Sequence, residues 1–359
     1  MRNEVYGLTS LRFVAALYVF IFHIHIRYPL ANGAIARLLS EGAVAMSLFF
    51  MLSGYILAYT YSDSLTSLRQ YFVNRFARIY PIYVVSAILG LPWIGTFNSN
   101  GTESTTWGVF KTLFLFASNL LGVQAWFPQF FQYWNDGGSW SISVEFFMYA
   151  LFPLLLRRLC QLNEKKHAIV LLSCWLFLSY IGFVEVLFGK IGIYYSVPIY
   201  RLPEFIIGMC LFFISKRTGE ATLFKKIFNT KIFLAFVLIY ASYLLVFGRG
   251  GIYLLHNFIT IPFFSYTILF MHHSNCMIKK IFETKTLVYL GKISYCIYSF
   301  QVVIFLPLQS YYENLITYLP IFKNNMNLFF ACSIALGIYS SLGYHLIEEP
   351  CRKFIRKLC

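Results

Sequence analysis

Arg12 and His23 stand eleven residues apart inside LTSLRFVAALYVFIFHIHIR, residues 8–27, an apolar run long enough to cross a bilayer. On an α-helix, at about 100° and about 1.5 Å per residue, that spacing puts them within about 20° of one face and roughly 16 Å apart. An ionisable side chain at membrane depth is costly and marks a functional track by default. An imidazole, with an ordinary pKa near about 6.5, exchanges protons close to neutrality. A plainer reading stands beside this one: Arg12 snorkels to the headgroups as a topology anchor, and His23 hydrogen-bonds a neighbouring helix. His25, turned by about 200° from His23, is read as structural.

A second basic feature lies in RFARIYP, where Arg75 and Arg78 are three residues apart and share a helix face. Such a pair either anchors the chain at lipid headgroups or grips the phosphates of an anionic cofactor through charge-assisted forks. Between these features runs GAVAMSLFFMLSGYILAY, residues 42–59, with small residues at Gly42, Ala43, Ala45, Ser47, Ser53 and Gly54. Small residues let membrane helices approach closely. Ser53 and Gly54 also suit a softened or opened helix beside a substrate path.

The elements that must position these residues follow from composition. The chain of 359 residues is 59% apolar and 20% aromatic with 12% charged, which points to an all-α polytopic membrane protein. Its net charge of +15 is read as topology and not as a nucleic-acid footprint. Apolar segments fall near residues 8–27, 42–62, 79–97, 107–126, 139–156, 168–188, 198–215, 230–247, 251–271, 286–308 and 327–347. If all crossed, Arg157, Arg158, Lys165 and Lys166 would lie opposite Arg69, Arg75 and Arg78, against the positive-inside tendency. The segment at 107–126, with Lys111, Asn119 and Gln124, is the weakest and is expected to be re-entrant or interfacial.

About ten spans then remain, with both termini cytoplasmic. Arg27, Arg37, Lys111, Lys190, Arg249 and Lys323 fall outside, and Arg12, Arg201 and Lys292 lie within spans. In that topology Arg12 is toward the cytoplasmic end of the first helix and His23 in its outer half. The eight cysteines show no CxxC pair and no predicted outer-loop member, so neither a disulfide framework nor a zinc site is expected. The N-terminus has no signal-peptide cleavage pattern, so the first span is expected to be retained.

Several strings occur together and in order: LTSLRFVAALYVFIFH, LFFMLSGY, RFARIYP, QAWFP with SWSISVEFFMYALFP, RLPEFIIG, LGKISYCIYSF and IEEPCRK. With them the chain resembles acyltransferase family 3, membrane proteins that move acyl groups, commonly acetyl from acetyl-CoA, onto extracytoplasmic carbohydrates and other hydroxyls. The resemblance covers nearly the whole chain. The family's Arg, ten residues, His signature falls on Arg12 and His23, and its Arg-x-x-Arg pair on Arg75 and Arg78. Its Trp-Ser-x-Ser-x-Glu element falls on Trp140, Ser141, Ser143 and Glu145, its Arg-x-x-Glu-Phe element on Arg201, Glu204 and Phe205, and its Glu-x-Pro element on Glu348 and Pro350. Two positions depart: Phe146 stands where many members have a second Glu, and Gln301 where many have a His.

The resemblance implies one membrane acyltransferase domain over residues 1–359, without the fused extracytoplasmic domain of some members, in a bacterial inner membrane. Acyl transfer to a hydroxyl needs a base, oxyanion stabilisation and a grip on the donor. His23 is the expected base, and Glu145 either orients the imidazole or pairs with Arg201 or Arg12. Arg201 and Glu204 can equally satisfy each other. Arg75 and Arg78 are expected on the CoA phosphates and Arg12 along the pantetheine route, with Ser53, Trp140, Ser141, Ser143, Arg201 and Glu204 as substrate contacts or support.

Acetyl-CoA is expected as the donor substrate, with no permanently bound cofactor and no metal. The other expected partners are membrane lipids and a carbohydrate acceptor, free or lipid-linked, such as a cell-envelope polysaccharide or lipopolysaccharide precursor. No nucleic acid is expected. The Trp- and Tyr-rich stretch from Ala125 to Trp140 suits sugar faces, or an ordinary interfacial aromatic belt. A transporter, flippase or polymerase of lipid-linked oligosaccharide is the alternative, because intramembrane charges also mark transport paths.

Overall fold

A computed structural model describes residues 4–63, 67–93, 105–129, 139–188, 193–218, 227–248 and 253–357. Its helices in chain order are α1 (Tyr6–Arg27), α2 (Gly33–Leu39), α3 (Ala45–Tyr61), α4 (Leu68–Gly90), α5 (Thr105–Leu120), α6 (Trp140–Cys160), α7 (Glu164–Phe188) and α8 (Pro198–Thr218). They continue with α9 (Thr230–Phe247), α10 (Asn257–His273), α11 (Met277–Phe282), α12 (Lys285–Lys292), α13 (Ser294–Tyr318), α14 (Asn325–Gly343) and α15 (Glu349–Lys357). Among the described residues there is no strand. Eight helical stretches there are long and apolar enough to cross a membrane, nine when α12 and α13 are counted as one span. The chain is an all-α, multi-pass membrane protein.

Each of the ten segments expected to span contains a helix. The largest boundary shift is at α4, which starts at Leu68, where Ser67 caps it by accepting from the Gln70 backbone N–H at 3.2 Å. Arg69, Arg75 and Arg78 therefore lie on the helix itself and not in a loop before it. Long, unbranched arginine side chains favour helix, and an N-cap serine fixes the start. The eleventh segment is α5, whose 16 residues fall short of the roughly 20 that a bilayer core demands.

The chain forms two compact units. The first comprises residues 1–66, 150–195 and 199–294; the second comprises 67–149, 196–198 and 295–359. In the first, α1 packs on α3 and α12, and α3 meets α8 through paired glycines. A Cβ on Gly54 would lie 2.0 Å from the Phe205 carbonyl oxygen, and one on Gly208 would lie 2.0 Å from that of Met51. Only hydrogen fits at either point. Helix α3 runs unbroken through Ser53 and Gly54, which corrects the expectation that these residues open it. The close backbone approach accounts for Gly54.

In the second unit, polar residues at and just beyond the end of α5 are used to seat it. Gln124 Nε2 donates to Tyr83 Oη at 2.8 Å and to the Ser139 carbonyl oxygen at 2.9 Å, and Ser139 Oγ donates to Asn119 Oδ1 at 3.0 Å. Asn119 Nδ2 in turn donates to the Leu115 carbonyl oxygen at 2.9 Å. Asn119, Gln124 and Ser139 are all buried. A non-spanning segment in a membrane protein is stable where protein satisfies its polar groups.

Candidate active site

Helix α1 carries both residues of the first signature. His23 and Arg12 are half-buried, on the shared face that their spacing requires. Arg27, one turn beyond His23, donates from Nη1 to the His23 carbonyl oxygen at 2.8 Å and stands 3.4 Å from His23 Nδ1. The Phe22 ring lies 4.9 Å from the imidazole. His25 turns elsewhere: it is buried, and its Nδ1 accepts from the Leu30 backbone N–H at 3.0 Å. It shapes the exit from α1, as its angular position indicates.

Deeper in the same unit, Arg201 and Glu204 on α8 pair at 3.2 Å between Nε and Oε2, with 1% and 0% of their side chains exposed. Ser47 of α3 completes the cluster. Its hydroxyl donates to Glu204 Oε1 at 2.7 Å and accepts from Arg201 Nη2 at 3.3 Å. The Phe50 and Tyr195 rings lie 5.2 and 5.4 Å from the guanidinium carbon. Arg201 and Glu204 thus pair with each other, one of the alternatives open for Arg201. Ser53 is buried nearby on α3.

The second unit gathers four of the ordered strings on the start of α13. Ser141 on α6 shares a 2.7 Å hydrogen bond with Tyr298 Oη. Tyr295 Oη donates to the Ile79 carbonyl oxygen at 2.9 Å, and the Cys296 thiol to Glu348 Oε2 at 3.2 Å. Glu348 closes a π-helical turn, Tyr344–Glu348, at the end of α14; such turns recur where a side chain must be re-aimed. Ser143 accepts from the Ala125 backbone N–H at 3.3 Å, and Trp140 is buried. Glu145, half-buried, lies one turn beyond Ser141 on α6.

Arg75 and Arg78 are half-buried on α4, and the Arg75 guanidinium lies 6.0 Å from the Tyr149 ring centre. Phe146, where a second carboxylate is common, packs edge-on against Tyr83 at 5.9 Å. A Cβ on Gly122 would meet its ring at 2.1 Å. That position is occupied by packing and carries no acid. Gln301 is buried. Of the aromatic stretch expected to meet the acceptor, residues 130–138 lie outside the described residues; Trp126 packs edge-on against Phe147 at 5.1 Å.

Sequence reasoning missed Ser47 as the third member of the Arg201 cluster and Arg27 as the neighbour of His23. It also missed a buried pair in the first unit, Glu41 Oε2 and His256 Nε2 at 3.6 Å, with Tyr243 Oη 2.9 Å from His256 Nδ1. Only Arg27 left a signal, its i,i+4 spacing from His23.

A family model described as an acyltransferase domain matches residues 5–345. Acyltransferase MdmB of Streptomyces mycarofaciens is 35% identical over 168 residues, 45% of this chain and 41% of that protein. O-acetyltransferase OatA of Staphylococcus aureus (strain NCTC 8325 / PS 47) is 22% identical over 372 residues, 97% of this chain and 57% of that protein. Further Staphylococcus aureus relatives match at 23% over the same shares. The chain thus spans about half the length of the relatives it matches. No solved structure matches it. With the family match running nearly end to end and the paired signatures carried on membrane helices, the chain belongs to acyltransferase family 3.

Proposed function

We propose that this chain is a membrane O-acyltransferase that takes an acetyl group from cytoplasmic acetyl-CoA. The acceptor is a sugar hydroxyl of a bacterial surface polysaccharide or its lipid-linked precursor. The observation that carries the reading is the match over residues 5–345 with Arg12 and His23 on one helix. The relative OatA is an O-acetyltransferase by name, which favours acetyl as the group.

In this reading His23 takes the proton of the acceptor hydroxyl as it attacks the thioester. Glu145 is the second residue of the chemistry, a carboxylate that supports positive charge as the proton moves. Arg75 and Arg78, on one face of α4, hold the CoA phosphates through forked hydrogen bonds, and Arg12 lines the pantetheine route. The membrane is the bacterial inner membrane, with both termini cytoplasmic.

The test is transfer from labelled acetyl-CoA to cell-surface glycan in membranes carrying the native chain or His23→Ala at matched protein levels. Label in the native sample that falls by about 10³-fold or more in His23→Ala supports the reading, a loss in keeping with removal of a proton-transfer group that acts with its neighbours. No label in the native sample, with glycan export or chain length still dependent on the protein, overturns it in favour of a transporter or polymerase.

A further inference from the structure

Arg27 ends α1, and an arginine at that place ordinarily extends to the lipid headgroups. Here the side chain is half-buried and folds back along its own helix. Its Nη1 is anchored on the His23 carbonyl oxygen at 2.8 Å and stands 3.4 Å from His23 Nδ1. A guanidinium has only donors. A neutral imidazole that turns Nδ1 to this donor presents its lone pair there and carries its proton on Nε2. The nitrogen able to act as base and a fixed, permanently charged donor thus share one small space. Acyl transfer needs a base at the attacking oxygen and a donor at the carbonyl oxygen, with the reacting carbon between them.

We propose that Arg27 is the oxyanion donor of the acyl transfer, and that its approach to Nδ1 is its resting position. The proposal rests on the reading of the chain as a His23-dependent acyltransferase. The acceptor hydroxyl displaces Nη1 from Nδ1 and gives its proton to that nitrogen, while its oxygen bonds to the thioester carbonyl carbon. The carbonyl π pair moves onto its oxygen, which accepts an N–H from Arg27. Collapse restores the C=O bond and breaks the C–S bond, and the departing thiolate takes the proton from Nδ1. Ester and free CoA thiol leave, and both side chains return to their starting state. The anchor on the His23 carbonyl keeps the guanidinium in reach throughout.

The experiment measures initial rates of label transfer from acetyl-CoA to membrane glycan for Arg27→Gln, Arg27→Lys and Arg27→Ala. Arg27→Gln is expected to lower kcat by about 10²- to 10³-fold while leaving KM for acetyl-CoA within about threefold. Arg27→Lys, which keeps a cationic donor, retains at least about tenfold more rate than Arg27→Gln. Added guanidinium ion at millimolar level restores rate to Arg27→Ala, and urea at the same concentration does not. A kcat for Arg27→Gln within about threefold of native overturns the proposal. So does equal loss in all three variants without guanidinium rescue, which assigns Arg27 to the helix end alone. A native chain that transfers no label fails earlier and overturns the acyltransferase reading itself.

Discussion

Two arginines of the first unit, Arg201 and Arg27, meet the same difficulty of a cation at or near membrane depth and resolve it differently. Arg201 is 1% exposed and enclosed by Glu204, Ser47 and two aromatic rings. Its charge is neutralised by a carboxylate, and the serine hydroxyl serves both partners at once. Arg27 is half-buried and leans on a titratable ring and a backbone carbonyl. A buried cation paired with a carboxylate and with a hydroxyl of the next helix fixes helices; a charge set against a proton-exchanging group is placed to meet a third party. Family signatures name Arg201 and His23 but not Arg27, and only the contacts bring Arg27 beside His23.

Breaking the closed cluster should give the largest change in stability. Glu204→Ala leaves the Arg201 guanidinium buried without its carboxylate, at a cost of about 3–5 kcal/mol. Thermal unfolding of the purified chain in detergent should show a clear fall in midpoint. The double variant Arg201→Met with Glu204→Met removes both charges and is expected to recover most of that loss, because apolar replacement of a buried pair is often neutral. Recovery of stability together with transfer activity would mark the cluster as architecture. Recovery of stability without activity would bring Arg201 and Glu204 into the site and erase the contrast with Arg27.

Much of the fold was open to reading because a bilayer imposes runs of about 20 apolar residues. Lys111, Asn119 and Gln124 were enough to mark the segment of α5 as the weakest candidate span, and its helix has only 16 residues. The early start of α4 was hidden because Arg69, Arg75 and Arg78 precede the apolar run by which the span was placed, although they suit helix by propensity. Ser47 and Glu204 are separated by 157 positions, and no periodicity links residues that far apart. Glu41 and His256 are far apart in the chain and no spacing links them. Only the fold buries them together at 3.6 Å. Phe146 shows the converse: its departure from the family was visible, whereas its packing on Tyr83 and Gly122 was not.

A cationic grip that acts only on the donor should have a different kinetic signature from Arg27. Arg75→Gln with Arg78→Gln removes two charge-assisted contacts to phosphate, each worth about 1.5–3 kcal/mol. KM for acetyl-CoA is expected to rise by at least about tenfold, with kcat at saturation changed little, because contacts remote from the reacting carbon contribute uniformly to ground and transition states. Steady-state rates against acetyl-CoA concentration measure this directly. A fall in kcat at unchanged KM would move Arg75 and Arg78 from the donor to the chemistry.

The smallest effect tests whether the two arginines are mechanically independent. Gly54 has no room for a methyl group against the Phe205 carbonyl, and α3 carries Ser47 less than two turns before it. Gly54→Ala must push α3 from α8 and is expected to cost about 1–3 kcal/mol by overpacking. That displacement bears on the hydroxyl between Arg201 and Glu204. Arg27 and His23 are held by contacts within α1 itself. A midpoint lowered in Gly54→Ala with transfer per folded molecule within about twofold of native is the expected result, because the loss falls on packing and not on transition-state contacts. A loss of transfer well beyond the loss of stability would couple the closed cluster to the open pair and make the packing of α3 on α8 part of the catalytic apparatus.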